Sequence, residues 1–152
     1  VFRGVHAINM DAKGRMAMPT KYRDGLKNSD DGQLIATIDI QTRCLLIYPL
    51  SVWEDIEQKL QKLPSLNAST RRLQRLMLGY ASELELDGNG RVLLPAALRE
   101  YAGLEKKVVL VGQGGKFELW NDEQWAAETA QAIEDANSGD LDVPDDIQNL
   151  VF

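Results

Sequence analysis

The chain has 152 residues, with a single His, a single Cys and a net charge of −6, a length that suits one ordinary domain or two small ones sharing a core. No run approaches the ~18 apolar residues of a membrane span, and the start lacks the basic-then-apolar layout of a secretory signal, so a cytoplasmic protein without a membrane partner is expected. The lone Cys44 excludes an internal disulfide and a zinc cluster and reads as a small hydrophobe in a strand, so neither a metal nor a cofactor is expected.

In chain order, Ile8, Met10, Met16 and Met18 alternate with other residues on either side of a polar, Gly-containing loop at 11–15, which is a β-hairpin signal. A short helical turn follows Pro19, then a loop-like stretch at 28–32, then strands at about 34–40 and 44–48. Trp53, Ile56, Leu60 and Leu63 recur at spacings of three, four and three, the stripe of an amphipathic helix, and Pro64 stops it. A second helix over about 69–79 places Leu73, Leu76 and Met77 on one side, with Arg71, Arg72 and Arg75 elsewhere as a solvated face. A second hairpin follows around residues 87–91, flanked by Leu84, Leu86, Val92 and Leu94, then strands at 107–111 and 116–120 and a further helix. From Ser138 onward, scattered Asp, Gly, Pro and Asn suggest a weakly ordered tail.

The two hairpins are copies of each other. Residues 5–24 align without gaps to 81–100, with identities at Asp11/Asp87, Gly14/Gly90, Arg15/Arg91, Pro19/Pro95 and Arg23/Arg99, and the alternating apolar positions agree as well. The match resumes four residues out of step, where 45–48 corresponds to 117–120 and Trp53 to Trp125; the extra residues of the first copy are assigned to the 28–32 loop. Four segments result: a first repeat at 5–51, a helical connector at 52–79, a second repeat at 80–123, and a C-terminal helix with acidic tail at 124–152. An isolated hairpin is marginal in water, so neither half should fold alone.

Both loops read D-x-x-G-R, from Asp11 to Arg15 and from Asp87 to Arg91. Asp bonds its own turn and Gly supplies positive φ without steric cost, so a tight turn accounts for Asp11, Gly14, Asp87 and Gly90 as loop-orienting residues. The turn does not account for the Arg. Pairing with the loop's own Asp is one reading of it. The other is DNA: a two-stranded ribbon fits the major groove, where an Arg fork reaches guanine O6 and N7 together. On that reading Arg15 and Arg91 read bases, while Lys13, Arg3, Lys21 and Arg23 neutralise phosphates. The negative net charge argues against DNA until it is divided by segment. Nine carboxylates and no Lys or Arg lie from Asp122 on, which leaves residues 1–121 at +3 and residues 1–27 at +4. The chain is basic at its start and acidic at its end.

The start Phe2-Arg3-Gly4, the first loop continued to Pro19, the run Leu45-Leu46-Ile47-Tyr48-Pro49 and the second loop continued to Pro95 resemble the MraZ family, over nearly the whole chain to about Trp125. Each half is also similar to an AbrB/SpoVT-type swapped-hairpin domain, in which hairpins from two copies interlace into a small β-barrel. The resemblance implies a mainly β fold with flanking helices, two such repeats forming one pseudo-dimeric unit. It further implies a nucleoid-associated transcriptional regulator that binds direct, G-rich boxes in double-stranded DNA upstream of its own gene and the adjoining division and cell-wall cluster. Repression and a ring-shaped homo-oligomer are the family's implied mode. Two departures stand out: Asn89 replaces the Lys found at Lys13, making the second loop the weaker binder, and Val1 stands where an initiating Met is expected, as for a non-standard start codon read literally.

An enzyme is the competing class, and its raw materials are missing. His6 stands alone on a strand and reads as a satisfied side chain. The sequence has no nucleophile elbow, P-loop, H-E-x-x-H or C-x-x-C. The stretch Gly112-Gln113-Gly114-Gly115 falls where a hairpin turn is expected, and Arg91 and Leu98 occupy positions where a calcium loop needs oxygens. Glu83, Glu85 and Asp87 share a strand face, but Ala7, Asn9 and Asp11 replace them in the first copy. The nearer alternative is an AbrB-type antitoxin whose acidic tail wraps a toxin; two complete copies in one chain argue against it.

Overall fold

The computed structural model describes residues 1–140 and 142–150, apart from the side chain of Gln148; the part of the expected acidic tail at Leu141, Val151 and Phe152 lies outside the described residues. Residues 1–122 form one compact unit and 123–152 another. In the first, β1 (Phe2–Asn9), β2 (Arg15–Ala17), α1 (Thr20–Asp30), β3 (Gln33–Ile38) and β4 (Leu45–Pro49) are followed by α2 (Leu50–Gln61) and α3 (Ala68–Gly79). The pattern then repeats as β5 (Ser82–Glu85), β6 (Arg91–Leu93), α4 (Ala96–Ala102), β7 (Lys107–Gly114) and β8 (Phe117–Asn121). α5 (Asp122–Ser138), all but its first residue, and a short α6 (Asp145–Gln148) belong to the second unit, so the segment expected to be weakly ordered contains a helical turn, led by Pro144.

The fold is mainly antiparallel sheet with helices. Six strands run in the order β1-β7-β8-β4-β3-β5, and β2 pairs with β6 in a separate two-stranded ribbon. The six-stranded sheet is open, with β1 and β5 at its edges, which corrects the expectation of a closed barrel. The arms of each expected hairpin also part company. β1 pairs with β7 from Phe2↔Gly114 to Asn9↔Lys107, and β5 pairs with β3, while β2 and β6 pair with each other. The backbone groups that would close a hairpin are already engaged by the other half: Met10 N–H donates to Lys106 O, Met18 N–H to Gly90 O and Leu94 N–H to Gly14 O. What remains of the turn is two backbone bonds in each loop: Asp11 N–H to Arg15 O with Gly14 N–H to Asp11 O, and Asp87 N–H to Arg91 O with Gly90 N–H to Asp87 O.

Alternation nevertheless identifies the buried faces correctly. Met10, Met16, Met18, Leu84, Leu86, Val92 and Leu94 all enter one core, together with Leu34, Ala36, Ile38, Leu45, Ile47, Leu110, Phe117 and Leu119 from the sheet. The opposite faces of β3 and β4 supply Ile35, Leu46 and Tyr48 to a second cluster, where Trp53 and Leu60 of α2 cover them. Burial on both faces explains why these two strands read as continuous apolar runs. Thr37, fully buried among them, is satisfied by donating its hydroxyl to Met77 O at 2.8 Å.

The four extra residues of the first repeat do not form the loop expected at 28–32. They lengthen a helix, since α1 has 11 residues where α4 has seven. Each ends at a left-handed residue, Asp31 with φ 53° and Gly103 with φ 62°, which is how a chain leaves a helix with its last carbonyls bonded. The expected turn after Gly112 is present, closed by Gln113 N–H on Lys116 O.

Candidate nucleic-acid interface

Three residues set each loop. Asp11 accepts the backbone N–H groups of Lys13 and Arg15 on Oδ1, at 3.0 and 2.9 Å, and the Arg15 Nε–H on Oδ2 at 2.8 Å. Gly14, at φ 94°, takes the left-handed turn that a side chain would resist. The second loop repeats this bond for bond: Asp87 accepts Asn89 N–H at 2.8 Å, Arg91 N–H at 2.9 Å and Arg91 Nε–H at 3.2 Å, with Gly90 at φ 74°. The Asp–Arg pairing and the Asp-shaped turn are therefore one structure.

The ribbon brings the two loops onto one surface. Met16 and Val92 are paired and point inward, each 1% exposed. Arg15 opposite Leu93, and Ala17 opposite Arg91, therefore share the outward face, because side chains alternate along a strand. Arg15 and Arg91 stand diagonally across three residue pairs, roughly 7–8 Å apart at Cα, and the two loops lie at opposite ends of the ribbon. Both Arg side chains keep more than a third of their surface exposed. Lys13 is exposed at the first tip and Asn89 at the second.

Of the other cations expected at the site, Arg3 and Lys21 lie away from the loops and Arg23 lies against the second. Arg3 lies near the start of β1, seven residues before the loop region begins at Met10, hence roughly 20 Å along the strand. Its carbonyl accepts Lys21 Nζ at 3.1 Å and the Tyr22 hydroxyl, so Arg3 and Lys21 form a basic patch of their own. His6 bonds Tyr22 Oη at 2.9 Å, and burial, then the charge of Lys21, hold its pKa below the usual value; it is a satisfied side chain, as the sequence suggested. Arg23 is half-buried, donating Nε–H to Met18 O at 2.8 Å. The residue that sequence reasoning left without a role is Arg99, which donates Nε–H to Leu94 O at 3.0 Å in the same manner. Its signal was available in the Arg23/Arg99 identity.

Of the metal-binding donor types among the described residues, Asp39, Cys44 and Glu118 come within 4.8 Å of one another. Desolvation pushes the fully buried Cys44 thiol up to about 12, so it is held as the neutral thiol, a small hydrophobe just before β4. Glu83 and Glu85 are exposed on the edge strand β5.

The carboxyls of Asp11 and Asp87 are pulled below the ordinary carboxylate value, chiefly by the backbone N–H of Arg15 and of Arg91 respectively. A depressed folded pKa contributes stability that is complete above the unfolded value, ~3.9, and is lost as pH falls through the lower folded one. In a carboxyl-carbon NMR titration, both groups are expected to stay ionised below pH ~3.9. A midpoint at or above that value would show that the loops are not clamped as drawn.

The family described as "MraZ protein, putative antitoxin-like" matches the chain twice, over residues 1–76 and 77–142. The chain is 51% identical over 152 residues, the full length of both, to a protein of Halorhodospira halophila named transcriptional regulator MraZ. It is 54% identical, again over the full length of both, to the protein of that name from Pseudomonas aeruginosa, and 53% identical over 92% of both to that from Hydrogenovibrio crunogenus. No helix among the described residues is long and apolar enough to cross a membrane.

Proposed function

Because the chain belongs to the MraZ family, we propose that it is a DNA-binding transcriptional regulator which lays the β2–β6 ribbon and its flanking loops against the major groove. The observation that carries this reading is the pair of matching Asp-clamped loops whose Arg15 and Arg91 share one exposed ribbon face. Holding each Arg through Nε leaves the other donors of its fork for a planar pair of acceptors such as guanine O6 and N7. Ordering the side chain beforehand also lowers the entropic cost of binding. Lys13 and the Arg3–Lys21 patch neutralise phosphates, a role that carries no sequence information. The exchange of strands between halves is the single-chain counterpart of two interlaced hairpins. In this reading the chain acts as a homo-oligomeric ring that represses its own gene and the adjoining division and cell-wall cluster.

A head-to-tail ring presents the same ribbon repeatedly in one orientation, which calls for direct G-rich repeats rather than a palindrome. The test is a set of duplexes from the DNA upstream of the protein's own gene, carrying one box, several boxes about 10 base pairs apart, or several shifted by about half a turn. In-register boxes should bind ~10²-fold or more tightly than one box, through effective concentration alone. Binding should also weaken steeply with salt as counterions are released. Equal affinity across the set would exclude multivalent reading.

A further inference from the structure

We infer that Arg23 and Arg99 are positioning residues, each bracing the reading loop of the opposite repeat. Arg99 belongs to α4 of the second repeat, yet its guanidinium lies against Gly14 in the first loop. A Cβ on Gly14 would fall 2.7 Å from Arg99 Nε and 2.7 Å from Leu94 O. Arg23 of α1 lies against Gly90 in the second loop, where a Cβ would fall 2.4 Å from Nε and 2.6 Å from Cζ. Each Arg is tied into the ribbon beside that glycine. Arg99 holds Leu94 O while Leu94 N–H donates to Gly14 O, and Arg23 holds Met18 O while Met18 N–H donates to Gly90 O.

The glycine is thus required twice, for its left-handed backbone and for the flat guanidinium packed on its bare α-carbon. The functional unit is D-x-x-G-R from one repeat with the Arg four residues beyond Pro95 or Pro19 from the other. Lysine cannot replace this Arg, because it has no planar fork and no donor at the Nε position. A brace and a phosphate contact make different demands on Arg23, and the crossed geometry separates them.

The experiment pairs Arg23→Ala and Arg99→Ala, and the corresponding Lys variants, with two readouts on the full chain. Amide hydrogen exchange without DNA should speed up in residues 11–15 for Arg99→Ala and in residues 87–91 for Arg23→Ala, with no rescue by Lys. In DNA binding, a readout that rests on the function proposed above, Arg99→Ala should couple to Arg15→Ala by about tenfold and hardly to Arg91→Ala, with Arg23→Ala showing the reverse. Crossed exchange without any DNA affinity would keep the brace and reject the DNA reading. Uncrossed or uniform exchange would overturn the brace, and so would an Arg23→Lys variant that restores binding while Arg23→Ala lowers the salt slope by about one, the signature of a phosphate contact. Should an alanine variant fail to fold, the Lys variant carries the same exchange test.

Discussion

Arg15→Ala is expected to weaken binding to the upstream DNA by roughly 1–3 kcal/mol per engaged loop, about 5- to 150-fold, and to relax the preference for guanine. The ground is the position of the side chain: on the outward ribbon face, held by Asp11 at 2.8 Å, with 38% of its surface exposed. Arg91→Ala should cost less, because Asn89 stands in the second loop where the first has Lys13. Lys13→Ala should weaken all sequences about equally. An exposed ion pair contributes only ~0–1 kcal/mol to stability, so the thermal midpoint of Arg15→Ala should stay close to that of the parent. If every variant is folded and binds with parental affinity and specificity, the loops are not the reading elements.

Phe117→Ala is expected to do the opposite, strongly destabilising the fold rather than silencing the site. Phe117 is fully buried on β8, its ring stacked on Phe2 at 4.2 Å and edge-on to Tyr22 at 4.9 Å. One side chain thus joins the last sheet strand to β1 and α1. Removing a buried Phe costs about 3–5 kcal/mol against a total of about 5–15 for a typical domain. A urea midpoint that falls by less than a quarter of its value would show that these rings do not hold the two repeats together.

Much of this was legible in the chain. The offset between Asp11 and Asp87 revealed the repeat, and the alternation at Met10, Met16 and Met18 named the core residues that the structure buries. Partners were not legible, because period two says which face a side chain takes and nothing about which strand lies alongside. Ile8 reads the same whether β1 pairs with β2 or, as observed, with β7. The closed barrel, inferred from resemblance, failed for a related reason: β2 and β6 have only three residues each and use their ladder on one another. At the candidate site, what could be read was a tight turn for Asp and Gly and two open roles for the Arg. What remained hidden was that Arg15 and Arg91 share a face and that Arg99 reaches the first loop, since both depend on strands exchanged between halves. Residues 28–30 went into α1 because one more helical turn keeps its backbone bonded, which an open loop would not do.

The pairing of Phe2 with Gly114 also governs how the protein is made. β1 leaves the ribosome before β7 and meets that partner strand only after about a hundred further residues, roughly 5–20 s later at ordinary rates of synthesis. During that interval the first repeat has β3 and β4 beside each other but lacks β7 and β8, so the apolar faces of Leu45, Ile47 and Met18 have no cover from Leu110, Phe117 and Leu119. That surface is covered only when the second half arrives, so the order of synthesis runs against the order of packing.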